Sequence, residues 1–318
     1  MRFLLTLYLA LSASFASAQI ASAQTSVYEF LRLDRSARIA ALGGNSTSLA
    51  GDINSFFQNP AVLDSATHKQ ASFSFQKHLL DINSGFLAYG RQLDNLGDFG
   101  AGITFVNYGR FDETDEVGNT LGTFSANDVA LHIAYSRTLQ NFGFGVLRGG
   151  LGVKFIFSGI QNFRSTALAL DAGVLLSIPS EELHIGLSLL NFGTQLSTFD
   201  GVSEPLPVDV RFSISKKLEG LPLELTLGFI RLADASEPFF LRFRNFTIGG
   251  EFTLTDALKL RFGYSNLQRQ DLSLTGTLGL AGLSVGLGIG IEQFKFDYAF
   301  SSLGVMGGLH QLTLITSL

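Results

Sequence analysis

The chain has 318 residues, of which 46% are hydrophobic and 15% are charged, and its formal net charge is −5. Charged residues make up about 25% of an ordinary soluble protein, so the composition disfavours that class, and the acidic balance disfavours a nucleic-acid partner. The sequence contains no cysteine, which excludes disulfides, cysteine-based metal sites and a lipid-anchoring cysteine behind a leader.

Residues 1–18 have the pattern of a secretory signal peptide, with a basic residue, an apolar stretch and a small-x-small cleavage site at Ala16-Ser17-Ala18. A second site of the same kind ends at Ala23, which places cleavage after residue 18 or after residue 23. We therefore leave this leader out of the fold and expect the mature protein to be exported from the cytoplasm.

Residues 19–69 lack the alternation of the later sequence and are expected to form a plug inside a barrel lumen. Two stretches, 27–33 and 37–42, are candidates for short helices, and a glycine pair follows the second, as glycine commonly does after a helix end. An Asn-Pro pair then predicts a turn or an extended piece. The residues expected to define the plug are Ser36, Ala37, Arg38, Gly43, Gly44, Asn59 and Pro60. A segment of this size argues against an open water channel.

Apolar residues recur at every second position from about residue 70 to the end of the chain. In Leu258–Tyr264, for example, Leu, Leu, Phe and Tyr alternate with Lys, Arg and Gly, which is typical of a strand with one apolar face and one polar face. About fourteen strands are predicted, over 71–77, 84–92, 97–107, 125–138, 142–158, 166–178, 183–193, 207–217, 222–232, 239–254, 257–266, 281–291, 293–301 and 308–318. The even count and many lengths of about 9–11 residues predict an all-β, antiparallel transmembrane barrel over residues 70–318.

The predicted connections alternate between long and short, which favours a membrane barrel over a large soluble β-protein. With both barrel ends in the periplasm, the outward loops fall near 78–83, 108–124, 159–165, 194–206, 233–238, 267–280 and 302–307. The inward turns, near 93–96, 139–141, 179–182, 218–221, 255–256 and 292, are mostly shorter, as in outer-membrane barrels. The mature sequence has no convincing apolar run of about 20 residues for a membrane helix, so a closed barrel is the remaining way to cross a bilayer.

The two faces of the predicted strands divide into an apolar set for lipid and a charged set for the lumen. The charged positions are Lys154, Asp171, Asp209, Arg211, Glu224, Glu251, Lys259, Arg261, Lys295 and Asp297. Five cations and five anions favour an interior network of ion pairs over an ion filter, because a filter shows one dominant sign.

The predicted strand over 281–291 is unusual, because glycine or serine fills one of its faces, at positions 282, 284, 286, 288 and 290. Glycine inside a strand marks either a place that another segment approaches closely or a barrel corner that needs curvature. The sequence supports both interpretations equally, a docking wall for the plug and a corner of the barrel.

Signatures of catalysis and cofactor binding are absent or misplaced. Gly282–Gly286 matches the G-x-S-x-G pattern of a nucleophile elbow, but that motif needs a strand-to-helix turn and here lies inside a predicted strand. The five histidines show no paired metal-ligand spacing, and the sequence has no P-loop or dinucleotide fingerprint. We expect a protein without enzymatic activity, metal or cofactor.

Five short stretches carry a family resemblance. They are Tyr28-Glu29-Phe30-Leu31, Ser36-Ala37-Arg38-Ile39-Ala40-Ala41-Leu42-Gly43-Gly44, Asn59-Pro60-Ala61-Val62-Leu63, Asp297-Tyr298-Ala299-Phe300 and His310-Gln311-Leu312-Thr313-Leu314. Together they resemble the PorV/PorQ family of FadL-like outer-membrane barrels, and the sequence of the N-terminal stretches favours its PorQ-type members. The C-terminal strand departs from the usual barrel ending, because Leu318 follows His310, Leu312 and Leu314 on one face where an aromatic residue commonly closes the chain.

The resemblance implies a non-catalytic anchor of the type IX secretion system. Its partners would be a PorZ-like surface subunit with PorU- and PorV-type proteins of the attachment complex, while the barrel assembly machinery would insert it into outer-membrane lipid. Its long outward loops would contact the surface partner, and their apolar candidates are Phe111, Phe124, Phe199 and Leu272.

A second hypothesis is a FadL-like transporter of long-chain fatty acids or other hydrophobic compounds. It shares the barrel and the plug but needs a contiguous apolar patch in the lumen and a lateral exit, for which the inward positions Leu175 and Ile230 are thin support. A third hypothesis is a barrel with a purely structural role. The discriminating feature is the lumen patch, which depends on strand register.

Overall fold

Fourteen antiparallel strands close into one barrel in the computed structural model, which describes residues 26–272 and 279–318. The strands are β1 (Gln70–Lys77), β2 (Asn83–Leu93), β3 (Gly97–Thr114), β4 (Thr120–Phe142), β5 (Gly145–Ile160), β6 (Phe163–Ile178), β7 (Leu183–Ser197), β8 (Asp209–Lys217), β9 (Leu223–Phe229), β10 (Phe246–Thr255), β11 (Leu258–Ser265), β12 (Leu283–Ile291), β13 (Phe294–Ser302) and β14 (Gly308–Ser317). Neighbours along the chain pair with each other, and β1 closes the barrel against β14. The predicted all-β, antiparallel fourteen-strand barrel is confirmed. The predicted signal peptide, residues 1–18, lies outside the described residues.

Helices are confined to short pieces before the barrel and in its connections. The α-helices of the described part are α1 (Ala37–Ala41) and α2 (Asn266–Leu272). Turns of 3-10 helix cover Glu29–Arg32, Ile53–Phe57, Pro60–Val62, Ser65–Thr67, Pro179–Glu181, Phe239–Arg244 and Gly304–Met306. Within residues 26–272 and 279–318, no helix is long and apolar enough to cross a membrane. The short helices predicted over 27–33 and 37–42 are confirmed.

The longest connections lie at one end of the barrel, and no connection at the other end exceeds five residues. At that other end the strands are joined by 94–96, 143–144, 179–182, 218–222, 256–257 and 292–293, and the barrel begins and ends there. The opposite end carries the longest connections, 198–208, 230–245 and 266–282. Because outer-membrane barrels place short turns in the periplasm and longer loops outside, we name these the periplasmic end and the outer end.

The barrel wall is taller on one side than on the other. Strands β3 to β7 have 15 to 23 residues, whereas β8 to β14 have 7 to 10. A tilted strand needs about 9–11 residues to cross the hydrocarbon core. The short strands therefore end near the membrane surface, and the long strands project beyond it.

The predicted outward loop over 108–124 is wrong, because most of it is strand. β3 and β4 continue until only 115–119 connect them. Phe111 and Phe124 lie opposite each other in this ladder and stack with ring centroids 5.3 Å apart, and such cross-strand aromatic pairs stabilise a hairpin. A register shift after Asn107 interrupts the alternation by which the sequence would have shown the strand.

The predicted strand over 239–254 begins later than expected. Phe239–Arg244 form a 3-10 helix after Pro238, and β10 begins at Phe246. The helix opens with three consecutive apolar residues, which break the two-residue period of a strand with one buried face. The other predicted strands overlap the observed ones, with ends shifted by up to a few residues.

Apolar side chains cover the outward face of the barrel and remain exposed. Examples from around its circumference are Phe73, Leu87, Ile103, Ile133, Leu151, Leu170, Leu187, Leu227, Ile248, Phe262, Val285, Phe296 and Leu312. Soluble monomers rarely expose contiguous apolar surface of this extent, and a ladder that pairs every strand on both sides satisfies its backbone without water. The protein is an integral outer-membrane β-barrel, as predicted.

Candidate functional site

The segment that precedes the barrel, residues 26–69 in the described chain, fills the lumen, and we call it the plug. Helix α1 packs on β11 to β14, the 3-10 turn 53–57 on β1 to β3, and the turn 60–62 on β4 to β6. Most side chains from Tyr28 to Leu63 are buried. The plug therefore contacts the wall around most of its circumference and occludes the lumen.

The outer half of the lumen has an apolar wall. We call its residues the outer patch, and they are Val106, Ala130, Ile156, Ala167 and Ala169 of β3 to β6 with Leu206 from the connection 198–208. Tyr28, Phe30 and Leu31 of the plug pack against it. The outer patch is the contiguous apolar lumen surface that the transporter hypothesis requires.

Hydrogen bonds tie the start of the plug to the wall beside the outer patch. Ser26 Oγ donates to a backbone carbonyl of the connection 198–208 at 2.7 Å, and the Val27 N–H donates to Glu204 Oε2 at 3.1 Å. The Tyr28 hydroxyl shares a hydrogen bond of 2.5 Å with a serine hydroxyl on β6. The plug thus begins at the outer end and runs inward to β1.

Arg35, which no sequence motif marks, organises the turn that follows. Its guanidinium donates to the carbonyls of Phe30, Leu31 and Leu33 at 3.3, 2.7 and 2.5 Å. The same group lies over the ring of Phe57, 5.6 Å from its centroid. One buried arginine therefore fixes the shape of the segment that covers the outer patch.

Several of the predicted plug residues meet at α1. Ser36 caps the helix by accepting a hydrogen bond from a backbone N–H, and the Ala37 N–H donates to Thr313 Oγ1 on β14 at 2.8 Å. Gly43 and Gly44 follow the helix with φ of 85° and 88°, a left-handed backbone that favours glycine. A Cβ at Gly43 would also lie 2.8 Å from a backbone oxygen of β11, so both conformation and space require glycine there.

The glycine face of β12 receives the plug in its outer half. A Cβ at Gly286 would overlap the Ala41 side chain at the end of α1, and Ser284 Oγ donates to Ala41 O at 3.2 Å. At Gly290, near the periplasmic end, the nearest neighbouring atom would be 3.8 Å away. The docking-wall interpretation therefore describes the outer half of this strand.

A buried ion-pair network joins the plug to the wall nearer the periplasmic end. Arg38 contacts Glu251 on β10 at 2.8 Å, Asp52 at 3.4 Å and Glu224 at 3.7 Å. Glu251 is its centre, because two cations of β11 also contact it, at 2.6 and 2.8 Å. We call this the plug network, and its members are Arg38, Asp52, Glu224, Glu251, Lys259, Arg261 and Asp297. Five predicted lumen charges thus meet one predicted plug residue.

A cavity of about 360 Å³ lies beside the plug network at the periplasmic end. Gly288 and Gly290 form part of its wall, and charged side chains including Lys295 line much of the rest. Lys295, predicted to be a lumen charge, is exposed at this end of β13. The charged lining makes the cavity an unfavourable site for an apolar compound, because such a compound would leave the polar groups of the lining without hydrogen-bond partners.

The remaining predicted lumen charges pair within the wall. Lys154 on β5 contacts Asp171 on β6 at 2.8 Å, and His132 on β4 lies 3.1 Å from the same carboxylate. Asp209 and Arg211 contact each other at 2.7 Å on β8. In the described part of the chain, nine of the ten predicted charges contact an opposite charge, and Lys295 is the exposed tenth.

Asn59 and Pro60 form a turn that lies close against the wall. The Asn59 amide donates to Val174 O on β6 at 3.1 Å. A Cβ at Gly173 would overlap the Asn59 side chain, and one at Gly150 would lie 2.5 Å from the backbone of Pro60. The wall consists of bare backbone here because the plug occupies the space of the missing side chains.

The same thin part of the wall lies behind an apolar depression of about 590 Å³ on the lipid-facing surface. Its lining includes Tyr135, Leu139, Leu151, Ala172, Val174, Leu187, Leu189 and Val210 of β4 to β8. At Gly150 and Gly173, which pair with each other, only backbone separates the depression from the plug.

The serine of the G-x-S-x-G match belongs to the docking surface of the plug. Ser284 lies within β12, and its hydroxyl donates to Ala41 O, whereas a nucleophile elbow places its serine at a strand-to-helix turn. Across residues 26–272 and 279–318, no group of three or more histidine or acidic residues is arranged to hold a metal ion.

Comparison with known proteins relates the chain to others by structure. No family model matches the sequence, and no curated protein matches it. The toluene transporter TodX of Pseudomonas putida is similar, with 13% identity, a TM-score of 0.54 and coverage of 88% of this chain and 96% of TodX. A FadL homologue of Pseudomonas aeruginosa is also similar, with 10% identity, a TM-score of 0.52 and coverage of 89% of this chain and 98% of the homologue. The monoaromatic hydrocarbon channel CymD has 10% identity and a TM-score of 0.50, with coverage of 90% of this chain and 98% of CymD.

The chain has a FadL-like barrel fold. TodX is named as a transporter and CymD as a channel. The narrower resemblance to the PorV/PorQ family stays a prediction, because 10–13% identity to these structures establishes the fold and not the function.

In this FadL-like barrel, the four predicted partner residues occupy three settings. Phe111 and Phe124 lie on the projecting β3–β4 hairpin, Phe199 in an outer connection, and Leu272 at the end of α2. Phe111 is exposed, and the other three are half-buried. The structure therefore does not bring the four residues together into one surface cluster on a single loop.

The tip of the β3–β4 hairpin, residues 115–119, is ordered by one carboxylate. Asp115 accepts hydrogen bonds from the side chain and the backbone of Asn119 and from the Val117 N–H, at 2.8 to 2.9 Å. The hydrogen bonds from Asn119, first of its side chain and then of its backbone, hold the pKa of Asp115 below its usual value. The hairpin therefore presents a defined, charged tip.

Proposed function

We propose that the protein is an outer-membrane channel for hydrophobic small molecules. The observation that carries the proposal is the outer patch, a continuous apolar wall that Tyr28, Phe30 and Leu31 of the plug cover. An apolar compound gains about 25 cal/mol for each Å² of apolar surface that it buries, so this wall suits such a compound once the plug withdraws. TodX and CymD, which share the fold, are named for toluene and for monoaromatic hydrocarbons, and this supports the same substrate class.

Entry of a compound requires the first residues of the plug to leave the outer patch. Ser26, Val27 and Tyr28 hold this segment by hydrogen bonds, each with a net contribution of about 0.5–1.5 kcal/mol. The inner half is held by buried ion pairs, and breaking one such pair costs about 3–5 kcal/mol. The outer segment is therefore the part of the plug that a compound displaces most easily.

Exit through the periplasmic end is unfavourable for an apolar compound, because the plug network and a charged cavity lie there. The depression on the lipid-facing surface offers a lateral route into the membrane instead. That route needs the Asn59–Pro60 turn to move, since the turn fills the space behind Gly150 and Gly173.

Uptake by a Gram-negative host that lacks its own long-chain fatty-acid channel tests this function. Cells that produce the protein are expected to accumulate labelled oleate or toluene faster than cells with an empty vector. Uptake of both compounds at the vector level, with the barrel shown to be assembled by its mobility in unboiled electrophoresis samples, would contradict the proposal.

A surface-complex anchor is the second candidate function. The β3–β4 hairpin favours it, because this hairpin projects beyond the membrane and exposes Phe111, Val117 and Leu121. Exposed aromatic and apolar side chains of this kind anchor protein interfaces. The partner implied by the PorV/PorQ resemblance is a PorZ-like subunit with PorU- and PorV-type proteins of the type IX secretion system.

Deletion of the gene in its own host, scored for two phenotypes, separates the candidates. Loss of hydrophobic-compound uptake with normal display of secreted cargo supports the channel. Loss of surface-attached cargo with normal uptake supports the anchor instead. Complementation with a chain whose residues 115–119 are replaced by a short Gly-Ser turn then tests the hairpin, which only the anchor function needs.

A further inference from the structure

The connection between β9 and β10 carries an exposed apolar surface at the outer end. Its 3-10 helix, Phe239–Arg244, we call the outer helix. Phe239 is 57% exposed, Phe240 84%, Leu241 42% and Phe243 39%. Single exposed apolar residues are common, but four within five positions form a contiguous patch of the kind that a partner or a membrane covers.

The outer helix lies on the lipid-facing side of the barrel. Phe243 packs edge-on against Phe229 with ring centroids 5.4 Å apart. Phe229 ends β9 on the face opposite Gly228, whose missing side chain faces the plug, so Phe229 points toward lipid. Phe212 of β8 stacks 6.5 Å away, and Phe246 of β10 lies opposite Phe229 in the ladder. These rings match the aromatic girdle that outer-membrane barrels place at the membrane interface.

The strands beneath the outer helix set its height. β8, β9, β10 and β11 have 9, 7, 10 and 8 residues, close to the length that crosses the hydrocarbon core. Leu225 and Leu227 continue the exposed outward face of β9 below Phe229. The apolar surface of the helix is therefore continuous with the lipid-facing belt and begins where that belt ends.

The two arginines of the outer helix lie beside its aromatic rings, as charged residues do in segments at the membrane interface. Arg242 donates to Glu237 O at 2.9 Å and to Leu232 O at 3.1 Å, and so braces the connection. Arg244 contacts the Glu237 carboxylate at 3.3 Å and stays 51% exposed. Aromatic rings on the lipid side with arginine beside them are typical of segments that lie in the membrane interface.

We infer that the outer helix is an interfacial anchor whose aromatic side chains insert into the outer leaflet of the membrane. Lipid acyl chains cover Phe239, Phe240 and Phe243, and Arg244 stays at the level of the headgroups. The anchor fixes the connection 230–245 beside the barrel, at the depth of about 5–10 Å that interfacial helices reach. It does not depend on the transport function proposed above.

The chain contains no tryptophan, which permits a direct test with single-tryptophan variants. Phe240→Trp reports on the outer helix, Leu227→Trp on the lipid-facing wall and Val117→Trp on the aqueous tip of the β3–β4 hairpin. Each variant is placed in phosphatidylcholine vesicles with lipid brominated at a shallow or a deep acyl position. Phe240→Trp is expected to lose emission in brominated vesicles, more with the shallow bromine than with the deep one, while Val117→Trp keeps its emission.

Emission from Phe240→Trp that is as insensitive to brominated lipid as that from Val117→Trp overturns the inference, because the helix then projects into water. Leu241→Trp serves as a second reporter on the same helix if the first variant does not assemble. Mobility of unboiled samples in electrophoresis verifies the folded barrel for every variant before its fluorescence is measured.

Discussion

At the residue scale, Arg38 and Gly286 retain the plug by different physical means, the first through its charge and the second because it has no side chain. Arg38 reaches three carboxylates, of which two belong to the wall, and removal of a buried charge partner is expensive. Gly286 contributes space, because any Cβ there would overlap Ala41 of α1. Each position therefore makes a separate prediction about how the plug is retained.

Replacing Arg38 by Gln is expected to loosen the plug without preventing assembly of the barrel. Glutamine keeps much of the side-chain length but removes the charge, and loss of one partner from a buried pair costs about 3–5 kcal/mol. Hydrogen exchange across residues 36–63, followed by mass spectrometry, should become faster. Lys216→Gln is the control, because its exposed pair with Glu181 contributes at most about 1 kcal/mol. Equal exchange in the two variants would count against the plug network.

Gly286→Val is expected to displace α1, whereas Gly290→Val is expected to be tolerated. The first substitution places a side chain where Ala41 lies, and the second meets no atom closer than 3.8 Å at its Cβ. Overpacking of this kind costs about 1–3 kcal/mol. Ion conductance in planar bilayers measures the outcome, since a displaced plug opens the lumen. Indistinguishable conductance of the two variants would favour the barrel-corner interpretation of the glycines.

Some residues of the site could have been predicted from the sequence, and others could not. His132 follows the two-residue alternation of β4 and so belongs to its lumen face, a signal that could have placed it beside Asp171. Arg35 has no such signal, because it lies in irregular chain where no period exists and its three acceptors are backbone carbonyls. The two-residue alternation therefore identifies lumen residues on strands, but it gives no signal for residues of the plug.

At the element scale, the plug consists of two unequal halves. The outer half packs on the outer patch, while the inner half is bound to the wall by the plug network and by hydrogen bonds to β4, β5, β6 and β8. Transport along the proposed lateral route moves part of the inner half, and the hydroxyl pair Ser48–Ser213 provides a place to block that movement.

A disulfide between Ser48→Cys in the plug and Ser213→Cys on β8 is expected to stop uptake of hydrophobic compounds, and a reductant is expected to restore it. The two Oγ atoms are 2.8 Å apart, and the natural chain has no cysteine to compete. The matched control is Thr166→Cys with Ser197→Cys, also 2.8 Å apart, which links β6 to β7 and leaves the plug free. Normal uptake by the oxidised Ser48–Ser213 pair would rule out movement of the inner half.

At the scale of the whole molecule, the barrel combines a tall side, β3 to β7, with a short side, β8 to β14. The tall side supplies both the outer patch and the projecting hairpin. The short side receives α1 and the plug network. The outer patch and the plug network therefore lie on different sides of the barrel, so variants of the network residues are expected to leave the outer patch intact.

Leu318→Phe is expected to raise the yield of assembled barrel in the outer membrane. The Leu318 N–H donates to Lys69 O at 2.9 Å, and its side chain is 70% exposed at the periplasmic end, where an aromatic ring is favoured at the membrane interface. The heat-modifiable fraction in electrophoresis measures the yield, with Ser317→Ala as the control. An unchanged or lower yield would contradict this prediction.

The sequence by itself determined the fold class, the outer-membrane location, the approximate strands and most of the charges that line the lumen. These follow from period-two alternation, charge balance and unequal connections, which are local properties of the chain. Only the tertiary structure decided that Val106 and Ala169, far apart in sequence, share an apolar patch beneath Phe30. The reason is register: a shift of one residue would turn each inward side chain toward lipid, and pairing across several strands is what fixes it.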